Sequence, residues 1–112
     1  MQVLSLKVGD TTCTTGRASA YLARKALEIN RKTIEMAKKA EAIRESGADL
    51  EAVDGLMTQM AELNDLKSWL VCQVYGEKFT VEQLENSLTA EELTAEVQRV
   101  TNAIMGIIPK NG

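Results

Sequence analysis

The sequence predicts a mainly α protein, a helical bundle of about four helices with a small β-strand or hairpin at its N-terminal end. Three observations lead there. Of 112 residues, 45% are hydrophobic and 26% charged, an ordinary globular balance that argues against wholesale disorder. Aromatic residues are scarce (Tyr21, Trp69, Tyr75 and Phe79), so the core has to come from Leu, Ile, Val, Met and Ala, which suits helix packing better than a β-sandwich. The one proline is Pro109, so nothing upstream of it interrupts a long helix. A chain of this length fits a single domain, 1–112.

The β element occupies 1–14. Val3-Leu4-Ser5-Leu6-Lys7-Val8 is short, β-branched at its ends and followed by the turn signal Gly9-Asp10, and Thr11 to Thr14 can pair back on it. A lone two-stranded ribbon is marginal in water, so it has to lie on the helices or on a neighbouring chain. The first helix is expected over 15–45, with Thr15 as N-cap. Leu22, Ala26, Ile29, Thr33, Met36, Ala40 and Ile43 recur at alternating steps of four and three, a heptad stripe in which Thr33 is the only polar member. Leu27 and Ile34 form a second, partial stripe. At 1.5 Å per residue such a helix is roughly 40 Å long, more than a compact domain of this size needs, so part of it must pack on something else or stand out as an arm.

Ser46-Gly47-Ala48-Asp49 is the break, with Gly47 suited to a helix C-cap and Ser46 or Asp49 to the next N-cap. The second helix is expected over 49–75, with Val53, Leu56, Met60, Leu63, Leu66, Leu70 and Val74 on its inner face and Gly76 ending it. Two short helices follow, at 80–88 and 89–107, each announced by a capping box: Thr80 with Gln83, then Thr89 with Glu92. Leu84 and Leu88 form the apolar face of the first. Leu93, Val97, Val100, Ile104 and Ile107 make the second amphipathic, with Gly106 and Pro109 as its breakers.

The net charge of −3 is unevenly spread. Arg17 to Arg44 carries +5 and Glu45 to Gly112 carries −8, so basic and acidic helices can pair within one chain or between copies. Nucleic acid is the other reading of the basic stretch, through Arg17, Arg24, Lys25, Arg31, Lys32, Lys38 and Lys39. Interleaved glutamates and the lack of a stacking surface beyond Tyr21 weaken it. Cys13 and Cys72 stand apart, with no CxxC and no histidine in the chain, so free thiols in a reducing cytoplasm are the simplest account. The start Met1-Gln2-Val3-Leu4-Ser5-Leu6-Lys7 does not read as a signal peptide, and the longest apolar run, Trp69 to Cys72, is far short of a membrane span.

Catalysis has little to stand on. Without histidine, a general base near neutral pH has to be a strongly shifted carboxylate or lysine. The pairs Glu82/Glu85 and Glu92/Glu96 read as solvated helix faces, and Cys72 between apolar neighbours reads as a buried inert thiol. Neither a cofactor nor a metal is expected. Met36, Met57, Met60 and Met105 lie on or beside apolar stripes, filling the core or offering an adaptable surface to a partner helix. Trp69 and Tyr75 read as core, with the Tyr75 hydroxyl left in contact with water.

The stretch from Trp69 to Leu93 resembles the signature of the tail assembly chaperones of long-tailed (siphovirus-type) phages and prophages. An apolar helix ends in an aromatic and a glycine (Tyr75-Gly76), the pair Phe79-Thr80 follows, then a short acidic helix, the turn Leu88-Thr89-Ala90-Glu91-Glu92-Leu93 and a final amphipathic helix. In this resemblance Trp69, Tyr75, Phe79, Thr80, Leu84, Leu88 and Leu93 are framework residues, Phe79 packing back on the helix that Thr80 caps. The resemblance implies a non-virion, non-enzymatic protein of the host cytoplasm that holds the tape measure protein soluble until the tail tube polymerises around it. It further implies several copies acting together, and a longer frameshifted product that reaches the tail tube protein. Partner contacts are then expected on the apolar face of the first helix (Leu22, Ile29, Met36 and Ile43), on its basic side (Lys32, Lys38 and Lys39) and on the last helix (Val100 and Ile104). The competing readings are a generic helical adaptor or coiled-coil oligomer and, behind it, a small nucleic-acid-binding regulator.

Overall fold

A computed structural model describes residues 3–47 and 49–106. Its elements run β1 (Ser5–Val8), β2 (Thr11–Thr14), α1 (Ala20–Ser46), α2 (Leu50–Val74), α3 (Val81–Ser87) and α4 (Ala90–Ile104), the mainly α arrangement with a small N-terminal sheet that the sequence predicts. Ala48, Ile107 and Pro109 lie outside the described residues, as do Lys110 and Asn111.

The two strands pair antiparallel, Ser5 opposite Thr14 and Val8 opposite Thr11, around a turn in which Gly9 takes a φ of 62°. Leu4, Val8 and Cys13 are buried, so the ribbon lies on the helices. Thr15 does not cap the first helix as expected. Its Oγ1 accepts the Leu4 N–H at 2.9 Å and its own N–H donates to the Leu4 carbonyl at 2.9 Å, closing the open end of the hairpin. The helix starts later, behind Ser19, whose Oγ accepts the Leu22 N–H at 3.1 Å.

Asp49 caps α2 by accepting the Ala52 N–H at 2.7 Å. Both C-terminal capping boxes form: Thr80 and Gln83 bond each other's backbone N–H at 3.1 and 2.9 Å, and Thr89 and Glu92 do so at the same distances. Between α2 and α3, Gly76 (φ 73°) and Glu77 (φ 56°) turn the chain, with the Glu77 N–H donating to the Cys72 carbonyl at 2.8 Å.

The core sits at one end of the α1–α2 pair. Leu22, Ala26 and Ile29 of α1, Leu63, Leu70, Val71 and Val74 of α2, and Val97 and Val100 of α4 are buried together with Tyr75, Phe79 and Leu84. From residue 30 of α1 to residue 62 of α2, no described residue is buried. This half of the helical hairpin is an arm of ~25 Å, in a molecule whose longest dimension is 45 Å. Gly55, midway along α2 in the arm, has nothing within 4 Å of where a Cβ would stand. Gly55→Ala is therefore expected to stabilise the protein by about 0.5–1 kcal/mol, read as a raised melting temperature by circular dichroism.

Candidate partner-binding surface

The base of the molecule is locked by a polar network. Glu96 is only 6% exposed, and its Oε2 accepts the Tyr75 hydroxyl at 2.9 Å. Arg99 binds the same carboxylate through Nε at 2.9 Å and Nη2 at 2.6 Å, and Nη2 also donates to the Ser5 carbonyl at 2.7 Å. One guanidinium thus ties the β ribbon, α4 and the end of α2 together. Two expectations are corrected here: Glu96 does not lie on a solvated face, and the Tyr75 hydroxyl is spent on Glu96 rather than on water. Burial and the facing Glu96 carboxylate push the Tyr75 phenol upward. Arg99, which the sequence reading passed over, has as its one signal the spacing of three from Glu96. Similarly, buried Ser68 donates to Glu85 at 2.7 Å and joins α2 to α3.

Cys72 is buried, and burial, with Glu85 and Glu77 nearby, pushes its thiol up from 9.0 to about 11. It stays protonated at neutral pH and is a poor nucleophile. Because the folded-state value is raised, the thiol favours folding below pH 9.0, and that contribution fades as pH climbs toward about 11. Cys72→Ala should therefore flatten the alkaline loss of stability in melts taken across that window.

The arm carries the surface that the core leaves uncovered. Along α1 the stripe of Thr33, Met36, Ala40 and Ile43 is half-buried against α2, and Thr33 returns its hydroxyl to the Ile29 carbonyl at 2.8 Å. Leu27 and Ile34, the partial second stripe, point outward, as do Leu50, Met57 and Met60 of α2. Exposure among these five ranges from 44% at Met60 to 88% at Leu50. The placement of Met60 on the inner face of α2 is thereby corrected. At about 100° per residue, these side chains fall on one side of the helical hairpin. On the other side runs an open groove, lined by Lys32, Met36, Lys39, Gln59 and Leu63 and continuing past Ile43, Gly55 and Leu56. Lys39 spans it, donating to Gln59 at 3.2 Å.

Of the residues expected to meet a partner, Leu22, Ile29 and Val100 are spent inside the chain's own core, and Ile104 is half-buried against it. Met36 and Ile43 sit half-buried between the arm helices, and Lys32, Lys38 and Lys39 are exposed. Among the framework residues, Tyr75, Phe79 and Leu84 are buried, and Trp69, Leu88 and Leu93 pack against them from partly buried positions. Phe79 lies 5.7 Å from Tyr75, ring to ring, and Thr80 is an exposed cap. Trp69 meets the exposed ring of Tyr21 edge-on at 6.3 Å, and Arg24 and Lys25 stand 5.8 and 5.7 Å from that ring. Among the described residues no cluster of His, Cys, Asp or Glu could hold a metal ion, and no helix is long and apolar enough to cross a membrane.

Fold and surface together define a class: a small helical protein with a locked base and an arm whose apolar side chains have no cover among the described residues. The chain belongs to the phage tail chaperone protein family, whose profile matches residues 2–111. Membership gives it a chaperone role in phage tail assembly, with proteins as its partners, and extends the resemblance read from residues 69–93 to nearly the whole chain. No curated protein and no solved structure matches it.

Proposed function

We propose that this protein is a tail assembly chaperone that binds the tape measure protein and keeps it soluble in the host cytoplasm until tail tube protein polymerises around it. The observation that supports this reading is the uncovered apolar side of the arm: Ile34, Leu50, Met57 and Met60, carried on segments that bury no described residue, with exposed Leu27 continuing the row at the top of the base. A long helical client offers matching apolar stripes, and two flexible methionines let one surface accept stripes of differing shape. Covering each of the five side chains is worth about 1 kcal/mol, because each is already partly shielded. Ordering and association costs consume much of that sum. A single contact is therefore weak, and several copies along one client hold it by avidity. Weak contacts also let the growing tube displace the chaperone without a nucleotide or any catalysed step. The chaperone then leaves, and is no part of the mature virion. A longer frameshifted product would add the contact to tail tube protein.

The test is co-expression with the tape measure protein of the same tail gene cluster, followed by sizing of the soluble fraction. The expected result is a soluble client that elutes with several copies of this chain. A client that stays insoluble beside an abundant, folded chaperone would remove the reading and favour a generic helical adaptor.

A further inference from the structure

The charges on the uncovered side of the arm are sorted along its length. On α1, Arg24, Arg31 and Lys38 stand one turn from Leu27 or Ile34, and the same row, at steps of three and four, ends in Glu41 and Glu45. On α2, the row of Leu50, Met57, Ala61 and Asn64 has Asp54 as its one charge, in the half nearer the tip. The Lys39–Gln59 bond at 3.2 Å sets the two antiparallel helices level at that point. Counting along both helices from it, Glu41 and Glu45 stand about level with Met57 and Val53, and Lys38 and Arg31 about level with Met60 and Lys67. The uncovered side is therefore acidic at the tip and basic along the shaft. At the tip, Glu45, Asp49, Glu51 and Asp54 are exposed and form no ion pair among the described residues, and the one cation there, Arg44, is held by Glu41 at 2.6 Å. On the shaft, exposed Arg24, Arg31 and Lys38 are likewise unpaired among the described residues. The acids of the shaft face other ways: Glu28 and Glu35 lie about 100° round α1 from Leu27 and Ile34, and Glu62 and Asp65 lie about 140° or more round α2 from Met60.

We propose that the helix this side receives carries its own charges in the opposite order, basic where it passes the tip and acidic where it passes the shaft, and so lies along the arm in one direction. This deepens the reading of the arm as the client surface and rests on it for the identity of that helix, a segment of the tape measure protein. The apolar stripe alone does not choose a direction, because Leu27, Ile34, Met57 and Met60 meet a leucine row equally well from either end. The charges do. Each exposed pair adds little by itself, yet a helix laid the other way sets like charges against each other at both ends of the arm, and that difference selects one orientation. The same sorting discriminates between segments: an apolar stripe flanked by evenly mixed charges meets one repulsive contact for each attractive one.

The experiment uses the full chain and two amphipathic helical peptides of about 21 residues, long enough to span the arm. Both have the same composition and the same leucine stripe. In one, lysines flank the stripe in the first half and glutamates in the second; in the other, the two are mixed throughout. The sorted peptide is expected to bind at least about tenfold more tightly in low salt, with the gap closing in high salt. A nitroxide on its lysine end should broaden the amide signals around Glu45 and Asp54, and one on its glutamate end those around Arg31 and Lys38. Arg31→Glu/Lys38→Glu/Glu45→Lys/Asp54→Lys should keep the affinity and turn the peptide round. If that variant loses its helical circular dichroism, glutamine at the same four positions replaces it and should bind both peptides alike. Equal wild-type affinities for the two peptides, no binding of either, a label that reaches tip and shaft equally, or a reversed variant that holds the peptide in the wild-type direction overturns the inference. A chain that sorts the peptides as expected but leaves co-expressed tape measure protein insoluble keeps the inference and loses the client. One that solubilises the tape measure protein while treating the peptides alike does the reverse.

Discussion

Arg99→Met is expected to destabilise the fold by about 2–3 kcal/mol, seen as a fall of roughly 10–15 °C in the melting temperature. The substitution keeps the unbranched apolar stem of the side chain and removes its guanidinium. It strands the Glu96 carboxylate, which is 6% exposed, with the Tyr75 hydroxyl as its remaining bond, and it frees the Ser5 carbonyl from its guanidinium partner. A fully buried pair would cost more. The Arg99 side chain is 44% exposed, so water moderates the loss. Adding Glu96→Gln to the variant removes the stranded charge and should recover more than half of the deficit, because a neutral amide is far cheaper to bury than an unpaired carboxylate. Equal stabilities for the single and double variants would mean that the stranded charge costs nothing and that the deficit comes from the lost guanidinium bonds. Unfolding by urea, followed by circular dichroism, measures all of this.

The second large effect is on binding rather than stability. Ile34→Glu with Met57→Glu places two charges on the uncovered side of the arm, at positions 50% and 63% exposed. Folding free energy should move by no more than about 0.5 kcal/mol per site, since neither side chain contributes to the core. Affinity for the tape measure protein should fall at least tenfold, because each carboxylate must be desolvated beneath an apolar client. Leu70→Ala is the contrasting control. Leu70 is fully buried at the base, so its truncation is expected to cost about 3–4 kcal/mol while leaving the arm surface unaltered. Solubility of co-expressed client, set against each variant's melting temperature, separates the two behaviours.

What the sequence disclosed about the fold followed from local rules. Capping boxes at Thr80/Gln83 and Thr89/Glu92 are contacts across three residues, and both form where the spacing puts them. The stripe from Leu22 to Ile43 does face α2. What it could not disclose is where along that stripe burial stops. Leu22 and Ile29 are sealed because α4 packs on both α1 and α2 at the base, whereas Met36 and Ile43, identical in period, lie beyond its reach and stay half open. For the same reason, Leu27 and Ile34 were legible as a second stripe but not as the uncovered one.

Glu96 and Thr15 were misread for a shared physical reason. Each is polar, and each is satisfied by a partner distant in sequence, Tyr75 in one case and Leu4 in the other. Helical period places Glu96 beside Glu92. Only the docking of α4 on α2 turns it inward. Met60 shows the opposite error: its four-residue step from Leu56 fits the inner stripe, yet in the arm no third element among the described residues covers it.

The central claim is that the arm, and not the locked base, receives the client, and hydrogen exchange tests it most directly. In the free chain, amides in the arm, residues 30–62, are expected to exchange well before those around Leu70, Val71 and Val100, because few apolar contacts protect the arm. On adding the tape measure protein, or an apolar helical segment of it, protection should appear along the arm while the base stays as it was. Protection confined to α3, α4 and the β ribbon, with the arm exchanging as fast as before, would contradict the account.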